Sequence, residues 1–188
     1  MFFAPSAFNR LLIQWNGLDA AGFAAWEFLP GMRFGERAAW WRGGEDRSSA
    51  HEGLDIRCYR TTDGRRLSLG AGARVPAIYA GKVVALVADF LGTSLFIAHE
   101  CRDGSGRQLH TIFGHLVPHP GLAPGCPVAA EDELGSIADT SGRKLAPAPH
   151  LHLTLALINR EAGPERLDWD TLQQGARAVL LDPMIIMK

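Results

Sequence analysis

From residue 54 to residue 158 the chain runs as short apolar stretches broken by Gly, Pro and Asp, and none is long enough for a packed helix. The candidate strands are Leu54–Tyr59, Val75–Tyr79, Lys82–Ala88, Ser94–His99, Gln108–Leu116 and Leu151–Ile158. Turn residues separate them: Asp63–Gly64, Gly70–Ala71–Gly72, Leu91–Gly92, Asp103–Gly104–Ser105–Gly106 and Gly121. A succession of short strands joined by tight turns predicts a mostly β body, an antiparallel roll or sandwich. The flanks read differently. Residues 10–29 look helical in part, with Asp19 capping Ala20 to Leu29 and Pro30–Gly31 as the stop. Residues 166–177 read as a short helix capped by Asp168 or Asp170. The expected organisation is one domain over 1–188: an N-terminal segment over 1–48 on or near the core, a β core over 49–160, and a tail over 161–188.

Composition narrows the function classes. A chain of 188 residues, 47% hydrophobic and 21% charged, can bury one proper core. The net charge of −1, without a run of one sign, argues against a nucleic-acid partner. No stretch approaches the roughly 20 apolar residues of a membrane helix. Met1 to Arg10 lacks a basic start and is interrupted by Pro5 and Asn9, so no signal peptide is read there; the protein stays inside, or a leader was removed earlier. Cys58, Cys101 and Cys126 form no C-x-x-C and read as buried small apolar residues. Trp15, Trp26, Trp40 and Trp41 crowd the first 41 residues and read as packing of the N-terminal segment on the body, with a sugar-stacking surface as the alternative. There is no G-x-S-x-G, no phosphate-binding loop and no H-E-x-x-H.

The polar chemistry lies in the β region, where all seven histidines fall between 51 and 152. In Pro149–His150–Leu151–His152 the two histidines are two apart, so on a strand they share one face. His51 and Asp55 stand far upstream. His51, Asp55 and one of His150 or His152 are the ligand types of an open zinc site, in which the fourth position holds water. The remaining histidine of the pair would lie close to the metal, able to exchange protons with that water or to hydrogen-bond an oxyanion. His115, after Gly114, is a further candidate. His99 reads as structural or groove-lining, and His110 and His119 as exposed or locally bonded.

At these residues the sequence resembles the lysostaphin/LytM-type zinc endopeptidases that cut peptidoglycan. The resemblance rests on His51-Glu-Gly-Leu-Asp55-Ile, Val75-Pro-Ala-Ile-Tyr-Ala-Gly-Lys-Val and Leu95-Phe-Ile-Ala-His99. It continues through Thr111-Ile-Phe-Gly-His115-Leu, the turn from Gly121 to Val128, and Asp139-Thr-Ser-Gly142 to Pro149-His-Leu-His152-Leu. The closing Asp182–Pro183 also fits. Residues 1–45 carry no part of it. The resemblance implies one zinc ion, with a bound water, held by His51, Asp55 and His152. It implies His115 and His150 as the catalytic histidines, general base and oxyanion stabiliser, without dividing the roles. It also implies an antiparallel β-roll, a peptidoglycan peptide as substrate and a place in the cell envelope, periplasmic or extracellular. Members often carry Tyr where Phe113 stands, so a phenol that could hydrogen-bond substrate is missing, and Leu145 to Pro149 is stiffer than the Gly/Ser-rich run often found there.

The leading expectation is therefore a zinc metalloendopeptidase acting on a cross-bridge or stem peptide. The alternative is a latent or non-catalytic relative that binds peptidoglycan or activates a cell-wall amidase, for example with the N-terminal segment folded over the groove. A purely structural zinc is a third, weaker reading, because closed sites take four ligands, often cysteines, and the cysteines here are elsewhere.

Overall fold

The structure, a computed structural model, describes residues 4–43, 45–144, 146–159, 169, 172 and 177–187. It opens on α1 (Phe8–Trp15), whose buried Phe8, Leu11 and Leu12 are spaced one helical turn apart and face inward. The strands follow in order: β1 (Phe23–Glu27), β2 (Leu54–Ile56), β3 (Cys58–Thr61), β4 (Arg66–Ser68), β5 (Arg74–Pro76), β6 (Gly81–Ala88), β7 (Thr93–Arg102), β8 (Gln108–Pro118), β9 (Pro127–Val128), β10 (Glu133–Ile137), β11 (Leu151–Ile158) and β12 (Ala178–Leu181). A 3₁₀ helix at Pro183–Ile186 closes the chain, with Asp182 accepting from the Met184 N–H at its start.

All strand pairs described are antiparallel. The larger sheet has nine strands along the order β12-β11-β8-β7-β6-β9, with β2 on β11 and β10 bridging β8 to β5. A smaller sheet runs β1-β3-β4. The mostly β antiparallel fold expected from the turn spacing is the fold observed. No helix among the described residues is long and apolar enough to cross a membrane.

The N-terminal helix lies at Phe8–Trp15 and not over residues 20–29. Ala20 to Gly22 form a turn, with Gly22 at φ 81°, and the chain then enters β1. There Trp26 stands opposite Tyr59, and Phe23 packs edge-on against Trp26 with ring centroids 5.0 Å apart. Tertiary pairing overrides the helical preference of an Ala-rich stretch that has no long apolar stripe of its own. The short helix expected over 166–177 lies outside the described residues, save Trp169, Leu172 and Arg177.

The period of two along β11 separates the core from the site. Leu151, Leu153 and Leu155 enter the main core with Leu54, Ile56, Leu95 and Phe113. Each such side chain contributes about 1.5–3 kcal/mol by burial. Ala156 and Ile158 belong to a second apolar cluster on the opposite face, with Phe96 and Ile112. His152 and Thr154 alternate with the core leucines and so share that opposite face. Asp55 does the same on β2, between the core residues Leu54 and Ile56.

Cys58 is buried, but Cys126 is half-buried and Cys101 exposed, and all three are free thiols. Cys101 lies in the last residues of β7, where the strand runs past the core, so the expectation of buried cysteines holds at position 58 alone.

Candidate metal centre and its pocket

Strand register assembles the site. His152 on β11 stands opposite Asp55 on β2 and opposite Gly114 on β8. One row across three strands thus brings together a carboxylate, an imidazole and the residue before His115. Gly114 eases that close approach, because a Cβ would lie 3.2 Å from that of His152, a tight contact. Gly53 is tighter still: a Cβ would meet Leu153 O, Thr154 Oγ1 at 2.6 Å and His152 Nε2 at 2.7 Å. These two glycines let β2 and β8 close on the His152 side chain.

His51, from the loop before β2, completes a buried cluster with Asp55 and His152, one donor atom of each lying within 4.8 Å of the others. His51 Nε2 is 3.2 Å from His152 Nδ1 and 3.1 Å from Asp55 Oδ1. His152 Nδ1 is 2.8 Å from the same oxygen. The outward nitrogens have partners: His51 Nδ1 lies 3.1 Å from Arg33 O, and His152 Nε2 lies 2.9 Å from Thr154 Oγ1. With protons on those outward nitrogens, two imidazole lone pairs and a carboxylate oxygen converge on one point, a donor set suited to a divalent cation such as zinc.

Electrostatics favour an ionised Asp55 and neutral rings at His152 and His150. Burial alone would raise the Asp55 carboxyl, but protons shared with the His150, His152 and His51 rings around it, in the place a cation would take, hold it well below the usual carboxylate range. Burial lowers His152 despite the neighbouring Asp55 carboxylate. It lowers His150 as well, to about 4. A neutral imidazole beside an ionised carboxylate is the form that binds metal.

The two remaining histidines face the same place. His150 Nδ1–H donates to Ala148 O (2.9 Å), which leaves Nε2 pointing inward, 3.6 Å from Asp55 Oδ1. The His115 ring is 4.8 Å from that of His150 and 5.7 Å from that of His152, centroid to centroid. All five residues singled out in the sequence therefore meet. A pocket of about 650 Å³ opens on Asp55, His115, His150 and His152, walled by Trp41, Arg47, Phe90, Pro147 and Trp169.

Three residues carried no sequence signal. Asp89 Oδ1 accepts from His115 Nδ1–H (3.1 Å), and Oδ2 accepts from the His115 backbone N–H (3.0 Å). The backbone of His115 sits at φ 64°, unusual for a residue with a side chain. Asp89 lies below the usual carboxylate range: burial raises it, and His115 and Ser94 outweigh burial. The other two are Trp40 and Arg47, whose Nε1–H and guanidinium donate to Asp55 Oδ2 at 2.8 and 3.2 Å. Asp89 stands in a turn and the other two in an N-terminal segment without periodicity, so no spacing rule reaches them.

Phe113 corrects one expectation. It is fully buried in the main core, its ring 6.3 Å from that of Phe8, and faces away from the pocket. Its register opposite Leu153 and Leu95 puts it on the core face, where a phenol would not meet substrate. His99 is structural, buried between Ala80 O (2.8 Å) and Thr111 Oγ1 (2.9 Å). His110 is buried, against the expectation of exposure, though it keeps a local bond to Gln108 O at 3.0 Å. His119 is exposed and bonds Pro120 O.

No family model matches the chain, and no curated protein matches it in sequence. Among solved structures it is similar to lysostaphin, with 19% identity and a TM-score of 0.47 over 87% of this chain and 52% of that one. It is also similar to a variant catalytic domain of the prophage-encoded M23 protein EnpA from Enterococcus faecalis: 22% identity, TM-score 0.40, 76% of this chain and 89% of that one. A third is a chain of the SpoIIQ–SpoIIIAH pore-forming complex, with 20% identity and a TM-score of 0.46 over 90% and 87%. The chain spans about half the length of the lysostaphin chain it matches. Each is a likeness at low identity to a solved structure.

Proposed function

We propose that this protein is a zinc-dependent endopeptidase that hydrolyses a peptide bond of bacterial cell-wall peptidoglycan, in a cross-bridge or stem peptide. The observation that carries the reading is the convergence of His51 Nε2, Asp55 Oδ1 and His152 Nδ1 with the outward nitrogen of each histidine already satisfied. The substrate class and a location in the cell envelope rest on the resemblance of the motifs to lysostaphin/LytM-type enzymes.

His51, Asp55 and His152 would hold the ion. When bound, zinc supplies Lewis acidity and a water that loses its proton near neutral pH. His150 Nε2 faces the ligand cluster with its lone pair free, because Nδ1–H is committed to Ala148 O. It takes a proton from the attacking water and delivers it to the leaving amine as the C–N bond breaks. His115 faces the pocket with Nδ1–H held by the Asp89 carboxylate, which favours the doubly protonated ring; in that form its Nε2–H would donate to the oxygen of the attacked carbonyl. Trp41, Phe90 and Trp169 line the pocket with apolar surface that limits water around the scissile bond.

Zinc-loaded protein incubated with intact peptidoglycan, with and without a chelator, tests the proposal. Chelator-sensitive peptide fragments, read by mass spectrometry, are expected, and their masses name the bond. His51→Ala, Asp55→Ala or His152→Ala should remove both metal and activity. His150→Ala should keep the metal and lose about 10²–10⁴ in rate. Full activity in His150→Ala would overturn the mechanism. A protein that holds stoichiometric zinc yet releases nothing would favour the binding or latent relative, a reading that Trp41 and Arg47 at the pocket wall also motivate.

A further inference from the structure

The N-terminal segment does more than border the pocket. Its backbone holds the two ligands supplied by the 51–55 stretch: Asp55 N–H donates to Met32 O (2.9 Å), and His51 N–H donates to Glu36 O (2.9 Å). Arg33 O accepts from the outward nitrogen of His51. Trp40 Nε1–H and Arg47 saturate Asp55 Oδ2, the carboxylate oxygen turned away from His51 and His152. Arg47 also donates to Gly31 O (2.9 Å) and Ala38 O (3.4 Å), tying the segment to the carboxylate it serves. Trp40 packs edge-on against the His150 ring at 5.1 Å. Two of the three ligands therefore take their outer partners from a stretch that lies outside every motif of the site.

We infer that Trp40 and Arg47 are positioning residues of the metal centre, clamping Asp55 through Oδ2 so that Oδ1 alone is presented to the cation beside the two histidines. The inference rests on the metal-centre reading above. It makes the segment a built-in part of the site and not a removable cover. A ligating carboxylate with a free second oxygen can swing or take up a second bond, and outer partners of this kind typically carry about 10–100-fold in metal affinity.

The test is zinc affinity of the full chain, measured by competition with a coloured chelator. Trp40→Phe keeps an aromatic ring on His150 and loses the N–H. Arg47→Lys keeps the charge and loses the fork that joins Asp55 to Gly31 and Ala38. Each should weaken zinc by about tenfold. Glu45→Gln, in the same segment but exposed and paired with Arg42 rather than with Asp55, should leave zinc affinity unchanged. Cobalt(II), bound in place of zinc, should change its visible spectrum in Trp40→Phe and Arg47→Lys but not in Glu45→Gln. Unchanged affinity in folded Trp40→Phe and Arg47→Lys would overturn the clamp and leave the metal centre standing. A wild-type chain that binds no zinc would overturn both. Faster peptide release by either variant at saturating zinc would also overturn it, identifying the segment as an autoinhibitory cover.

Discussion

Replacing Asp89 with Asn isolates what holds His115. The carboxylate accepts from Leu91 N–H (2.8 Å), Gly92 N–H (2.7 Å) and His115 Nδ1–H (3.1 Å) on Oδ1. On Oδ2 it accepts from Ser94 Oγ–H (2.6 Å) and the His115 backbone N–H (3.0 Å). An amide has one accepting end. Its oxygen belongs in the Oδ1 place, where three donors meet, so its NH₂ must face Ser94 and the His115 N–H. Ser94 can turn its hydroxyl to accept, but the backbone N–H cannot. Leaving that donor unsatisfied costs about 1–3 kcal/mol, and neutralising the remaining bonds adds roughly 1 kcal/mol. His115 at φ 64° also loses its anchor, and relaxing to negative φ recovers about 1–2 kcal/mol while moving the ring. The net loss is up to about 3 kcal/mol, so thermal unfolding should fall by up to roughly 12 °C. Turnover of zinc-loaded protein on peptidoglycan should fall about 100-fold or more, the scale of a displaced proton-transfer or oxyanion-binding group. Zinc affinity should hold, because Asp89 contacts none of the three ligands through a hydrogen bond described here. Unchanged kcat in a folded Asp89→Asn variant would refute the reasoning, since His115 would then work without its carboxylate.

Three further outcomes are expected. Gly53→Ala should destabilise the fold by about 1–3 kcal/mol through overpacking and should weaken zinc binding, because the new methyl presses on Thr154 Oγ1 and His152 Nε2; chemical denaturation and metal competition measure the two effects, and wild-type values for both would contradict the close approach. His110 supplies a pH signature. Burial lowers it from 6.5 to about 4, so its share of stability is complete above 6.5 and drains away as pH falls towards 4, because the unfolded chain takes the proton first. The loss is about 3 kcal/mol, and His110→Asn should flatten the denaturation midpoint across that window. Zinc at 100 times its dissociation constant should add about 2.7 kcal/mol to the folded state, a rise of roughly 5–10 °C in Tm that a chelator abolishes; identical Tm values with and without zinc would count against a preformed site.

Much of the β architecture was legible along the chain. Glycine and proline punctuation sets strand limits locally, and the period of two in Leu151–Ile158 follows from backbone geometry, so the core leucines and the His152 face could be told apart. The N-terminal reading failed for a matching reason. Ala20 to Leu29 has helical composition, but Trp26 finds Tyr59 across the sheet, and a contact between residues so distant in sequence leaves no periodic trace. Phe113 shows the same limit at the site, because its motif position suggested the groove while its register with Leu153 put it in the core.

The sequence itself specified donor chemistry: which imidazoles and carboxylates could meet a metal, and that they lie in the β region. Their meeting point depends on register across β2, β11 and β8, a long-range property that sets Asp55 beside His152 and His152 beside Gly114. The partners of the donors depend on it still more. Arg33 O, Trp40, Arg47 and Asp89 reach the site from a loop and a turn. Loops obey no period, and hydrogen bonds close wherever the folded backbone brings donor to acceptor, so these residues became visible when the chain was seen folded.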